Sequence, residues 1–297
     1  MLMDSPSSSE YRLSDLADFP NPALGRRRST LGFAQATMRN IRFAGIPVAR
    51  RLISHFIDEV PPYFQFHKRR EGGKHAVIMV NGFLTRGNLD VSDWEDSILR
   101  QFRRATWYHL DWEAGRDPAS RLRHAMTIDG LLERVCGKGE PDALTLWHST
   151  MAGAERAGEL LARAISATPD WRYTLVGHSL GARVIHFALK ELAGRKRKQV
   201  ENAYLLGGAV GGGAKDSACW EAAVSAVKGN IYNCYSGGDT TLRLLYQGAN
   251  ARLSEPIGYC GIRLSHPRII AHDASAQVHG HTQWKQRFGE ILAHLHG

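Results

Sequence analysis

The stretch Tyr173–Leu192, "YTLVGHSLGARVIHFALKEL", decides how the rest of the chain is read. It opens on strand formers, Tyr173 to Val176, and closes on a segment in which Leu180, Val184, Phe187, Ala188 and Leu192 follow helical spacing. Between the two lies G-x-S-x-G, as Gly177-His178-Ser179-Leu180-Gly181. The bare pattern is weak evidence, but a strand on one side and a helix on the other make it a candidate nucleophile elbow. There, small residues two before and two after the serine permit a strained turn that holds the hydroxyl out above a sheet. The same serine would also suit an ordinary helix N-cap, so a nucleophile reading needs partners elsewhere in the chain.

A serine hydroxyl is a poor nucleophile near neutral pH; it needs a base and an orienting acid, in the chain order Ser, Asp or Glu, then His. "NIYNCYSGGDTTLRLLY" reads as a strand, a glycine turn and then Asp239, a carboxylate delivered at a strand's carboxyl end. Asp273 in "IIAHDAS" is the rival, and Asp216, in a glycine-rich loop, is weaker. The histidines after Asp239 are His266, His272, His279, His281, His294 and His296. His294 and His296 fall in a terminal helical segment and His272 in a presumed strand, whereas "VHGHTQW" is a loop between them; His281 is the expected base and His279 the fallback. Backbone N–H groups free at the start of a helix face developing negative charge, which makes Leu180 N–H one oxyanion donor. The loop after an earlier strand, "HAVIMVNGFLTRG", offers the second from Phe83 or Leu84.

From about residue 61 strand and helix signals alternate, the pattern of a mainly parallel sheet covered on both faces. Strands are expected at "HAVIMV", "TWYHLDW", "RYTLVG", "NAYLLGG", "NIYNCYS" and "RIIAH". Residues 113–170 form a largely helical insertion, expected to act as a lid with an apolar acyl pocket. Residues 1–30, rich in Ser, Pro and Arg, read as a disordered tail, and residues 31–60 as a basic amphipathic helical segment broken at Gly45 and Pro47. The domain proper is then 61–297, and 297 residues with 43% hydrophobic content are enough to bury its core.

The formal charge of +9 tilts the chain toward anionic surfaces such as phospholipid, although the basic residues are scattered and no nucleic-acid motif occurs. Cys136, Cys219, Cys234 and Cys260 are far apart and lack zinc spacing, so they read as reduced thiols. "GGAVGGGAK" lacks the G-K-[ST] ending of a phosphate loop and is expected to be a flexible loop at the rim of the site. "NLDVSDWED" lacks calcium-loop spacing, and the chemistry calls for no cofactor. With no secretory leader and no long apolar run, the expected location is cytoplasmic with membrane association open; export without a cleaved leader and the oligomeric state are left undecided.

"GHSLGARVIHFALKEL", "AYLLGGAV", "NIYNCYSGGDTTLRLLY" and "GHTQW", in that order, resemble the α/β-hydrolase family that includes the transmembrane and coiled-coil domain-containing proteins; "NGFLT" and "HLDWE" resemble its earlier segments. The resemblance covers roughly residues 73–290. It implies the α/β-hydrolase fold with Ser179, Asp239 and His281 in the triad positions. Such proteins often carry membrane-spanning helices before the hydrolase domain, where this chain has only its interrupted basic segment. The combined expectation is a serine hydrolase of carboxylic esters, lipid esters foremost, that touches anionic membrane from one side. Its rivals are a non-catalytic hydrolase-fold module for membrane or protein association, and a peptidase or thioesterase with the same triad.

Overall fold

The computed structural model describes residues 63–115, 141–249 and 254–297. The expected tail (1–30), the basic helical segment (31–60), Cys136 and residues 116–140 of the insertion lie outside the described residues.

Strands β1 (Phe64–Arg70), β2 (Gly73–Val80), β3 (Ala105–Trp112), β4 (Arg172–His178), β5 (Val200–Leu206), β6 (Ile231–Tyr235) and β7 (Ile269–Asp273) form one sheet in the order β1-β3-β2-β4-β5-β6-β7. All neighbours are parallel except β1, which runs antiparallel to β3 at the edge. The α-helices among the described residues are α1 (Ser92–Gln101), α2 (Pro141–Ala167), α3 (Leu180–Leu192), α4 (Ser217–Ala226), α5 (Thr240–Ala249), the short α6 (Ile257–Cys260) and α7 (Trp284–His296). This is the α/β-hydrolase fold: a mostly parallel sheet with helices on both faces.

The two-residue side-chain period of a strand sorts the core into two layers. Ile78 and Val80 of β2, Leu110 and Trp112 of β3, Leu175 of β4 and Leu205 of β5 face α2, α3 and α4. Val77 and Met79, Trp107, Val176, and Tyr204 with Leu206 face α1 and α7 on the other side. Near-continuous apolar runs such as "AVIMV" are what a strand buried on both faces requires.

Strand β1 was not among the expected strands. "FQFHKRR" alternates Phe64 and Phe66 with polar residues, and its charged end suits an edge strand, where Lys and Arg discourage pairing with another chain. The described helix of the insertion is α2, whose Ala157, Leu161 and Ile165 are buried in the core beside α3. That half of the helix is framework rather than cover.

The strand order places the site. From β2 the chain steps outward to β3 and then returns past β2 to β4, so the connections diverge at the β2–β4 pair; open parallel sheets bind ligands beyond the carboxyl ends of the strands at such a point. The carboxyl end of β2 leads into Asn81–Leu84 and that of β4 into Ser179.

Candidate active site

Ser179 stands between β4 and α3 with φ 58° and ψ −120°, a left-handed conformation that an L-residue adopts only under constraint. Close packing imposes it: a Cβ on Gly181 would lie 2.0 Å from the carbonyl oxygen of Val80, so α3 can start against β2 only with glycine there. The serine side chain makes no N-cap hydrogen bond, which leaves its hydroxyl free for another partner.

That partner is His281, whose Nε2 lies 2.8 Å from Ser179 Oγ. On the far side of the ring Nδ1 lies 2.8 Å from Asp239 Oδ2. Asp239 follows the turn after β6 and caps α5, its Oδ1 accepting from Leu242 N–H at 3.0 Å. Oδ2 accepts a further bond from Trp284 Nε1 at 2.8 Å. Burial opposes ionisation of this carboxyl, but the charge of His281 and the bonds from His281, Trp284 and Leu242 outweigh it and hold the group below its ordinary range. Ser179, His281 and Asp239 are all buried. With Asp239 ionised, Nδ1 of His281 carries the proton and Nε2 is left to accept from the serine.

Asn81–Leu84 passes within contact of the serine: a Cβ on Gly82 would meet Ser179 Cβ at 2.7 Å. The loop is pinned. Trp94 Nε1 donates to Asn81 Oδ1 at 2.9 Å and Trp112 Nε1 to the Asn81 carbonyl at 2.9 Å. Asn81 Nδ2 donates to His109 Nε2 at 3.2 Å, and burial pushes His109 down to about 3, so its ring is neutral and free to accept. Leu84 has φ 62°, and its N–H is spent on the Ala114 carbonyl at 2.8 Å, which removes it as an oxyanion donor. The N–H groups of Phe83 and Leu180 make no hydrogen bond among the described residues.

The alternatives fall elsewhere. Asp273 is exposed at the end of β7 and bonded to Ser275, and His279 is exposed. Asp216 accepts from Gly213 N–H. The glycine loop after β5 is not a loose rim: Gly207 to Gly212 are buried, Ala209 N–H donates to the Ser179 carbonyl at 3.1 Å, and the Gly211 carbonyl accepts from Trp220 Nε1. Two neighbours of this Ser–His–Asp cluster escaped the sequence reading. Trp284 stands three residues after His281, and His178 immediately precedes the serine; position next to a triad member is the only signal either offers.

Phe83, next to Gly82 on the loop that passes the serine, meets Trp147 edge to face at 5.0 Å. Among the described residues no group of His, Cys, Asp and Glu side chains is arranged to hold a metal ion, and no helix is long and apolar enough to cross a membrane.

The family described as "Protein of unknown function (DUF726)" matches residues 144–296. The transmembrane and coiled-coil domain-containing protein STS1 of Oryza sativa subsp. japonica is 28% identical over 280 residues, 84% of this chain and 40% of that protein. The Saccharomyces cerevisiae protein named "Probable lipase MIL1" is 31% identical over 156 residues, 52% of this chain and 14% of that protein. The chain therefore spans less than half the length of these curated relatives. Among solved structures, alpha/beta hydrolase domain-containing protein 10 from mouse aligns over 80% of this chain and 93% of its own at 11% identity, with a TM-score of 0.39. So distant a likeness carries no argument, and the fold rests on the strand order and pairing described above.

Proposed function

We propose that this chain, which belongs to the family described as protein of unknown function (DUF726), hydrolyses carboxylic esters through Ser179, His281 and Asp239. One observation carries the reading: an unbroken run of hydrogen bonds from hydroxyl to imidazole to buried carboxylate, each 2.8 Å long. In this mechanism Ser179 Oγ attacks the ester carbonyl while His281 Nε2 takes the hydroxyl proton, and Asp239 stabilises the imidazolium that forms. The N–H groups of Phe83 and Leu180 hold the oxyanion. Collapse of the tetrahedral intermediate breaks the ester C–O bond, and His281 returns the proton to the leaving alcohol. Water, deprotonated by the same imidazole, then releases the acid from the acyl-serine.

Lipid esters are the favoured substrates. Three features support this: the +9 charge, which favours anionic surfaces; the aromatic pair that Phe83, on the loop passing the serine, makes with Trp147; and a relative whose name contains the word lipase. Contact with anionic membrane from one side fits the same charge. A fluorophosphonate probe tests the chemistry directly: wild type labels and Ser179→Ala does not, whereas an unlabelled wild type supports the non-catalytic module. A p-nitrophenyl ester series, run beside anionic phospholipid vesicles, tests the substrate. Turnover confined to short acyl chains and indifferent to vesicles removes the lipid assignment.

A further inference from the structure

His281 reaches the serine from a loop 102 residues further along the chain, and Asp239 fixes only its ring. The backbone of that loop needs a tie of its own. Ser236 Oγ donates to the Val278 carbonyl at 2.6 Å, which binds the loop to the end of β6. His279 N–H to Gln283 Oε1 and Gln283 N–H to the Gly280 carbonyl are internal to it. The remaining tie comes from His178, whose Nε2 lies 3.0 Å from the His281 carbonyl oxygen. Its ring also lies beside the His281 ring, 4.7 Å between centroids and tilted by 38°. Among these contacts it alone joins the peptide of the base to the strand that carries the nucleophile.

We propose that His178 is a positioning residue: the bond from its Nε2–H to the His281 carbonyl, with its ring packed against the imidazole, holds the base in register with Ser179. This rests on the hydrolase reading above. A carbonyl can only accept, so His178 must carry its proton on Nε2. It must also stay neutral, because a cation beside His281 would oppose the imidazolium formed during attack. Burial, then the charges of His281 and Lys285, hold His178 well below its ordinary range, and the bond to the His281 carbonyl offsets this only in part. Lys285 is itself paired to Asp93 at 2.6 Å.

Two variants separate positioning from packing. His178→Gln keeps an N–H at similar reach, whereas His178→Phe keeps a ring and loses the donor. The expected result is a loss of about 10- to 100-fold in kcat and in fluorophosphonate labelling rate for His178→Phe, with KM little changed, since misplacement by about 1 Å suffices for such a loss. His178→Gln remains within a few-fold of wild type. Melting temperatures of both variants report the packing contribution.

A His178→Phe protein that labels at the wild-type rate overturns the proposal and leaves the hydrolase reading standing. A His178→Gln protein as impaired as His178→Phe also overturns it. If wild type itself fails to label, the hydrolase reading falls. NMR detection of a hydrogen-bonded His178 Nε2–H proton then still reads the contact, and its rapid exchange with solvent counts against it independently.

Discussion

Trp284→Phe isolates what the indole donor does for the triad. Trp284 is fully buried and gives Asp239 Oδ2 one of the three hydrogen bonds that the carboxylate receives, at 2.8 Å. A bond to a charged acceptor contributes about 1.5–3 kcal/mol. Charge-assisted bonds are roughly twice as strong as neutral ones, so about 1 kcal/mol of the loss exists only while Asp239 is ionised. Losing the bond raises the Asp239 pKa toward its ordinary range. The folded-state pKa lies below the unfolded one, so ionisation contributes stability that is present above the unfolded pKa and is lost as pH falls through the folded one. The stability gap between wild type and Trp284→Phe should therefore be widest at about pH 7, where the carboxylate is charged, and narrow by about 1 kcal/mol as acid protonates it. In a domain of this size that is a narrowing of about 2–4 °C in Tm. Urea or thermal melts in steps down to the lowest pH at which both proteins remain folded would measure it. The missing indole volume leaves a remainder that does not vary with pH. A gap of equal size at every pH would refute the reasoning and reduce Trp284 to a packing residue.

Gly82→Ala places a Cβ 2.7 Å from Ser179 Cβ and 3.0 Å from the His178 carbonyl oxygen, so the backbone carrying Phe83 N–H must shift; labelling by fluorophosphonate should slow about 100-fold. Because Ser179 has φ 58°, Ser179→Gly should be more stable to urea than Ser179→Ala by about 1 kcal/mol, although both are inactive. Asp239→Asn should lower kcat about 10⁴-fold by favouring the wrong imidazole tautomer, while Asp273→Asn, at an exposed carboxylate bonded to Ser275, leaves turnover at the wild-type level. Glu155→Ala removes the carboxylate paired to Arg183 at 2.5 Å, with side-chain exposures of 12% and 14%, and should lower the urea stability by about 3 kcal/mol; Glu155→Leu with Arg183→Met should recover much of that.

What could be read without coordinates was the local part of the problem. The buried strands of the sheet announce themselves because a strand covered on both faces must be apolar along its length, as "AVIMV" and "TLVG" are. The elbow is legible because its turn demands small residues at fixed offsets from Ser179. Strand β1 is different: Phe64 and Phe66 alternate as an edge strand should, but the partner that makes them one is β3, about forty residues on, and charged neighbours mask so short a signal. The glycine loop after β5 has the composition of a mobile rim, yet its peptide groups are bonded beneath the serine and against α4.

The site divides along the same line. Residue type and chain order narrow the field to a serine, three carboxylates and two loop histidines, because those follow from what the chemistry needs and where strands end. Which of them meet depends on distances through space that no local pattern encodes. The sheet order brings Asp239 and His281 to Ser179 and leaves Asp273 and His279 at the surface. Likewise the sequence offers Phe83 with Leu84 as the alternative, and the bond from Leu84 N–H to the Ala114 carbonyl, made across two loops, leaves only Phe83 free of the two. His178 and Trp284 gain their roles from contacts spanning 103 and 45 residues, which only the folded chain creates.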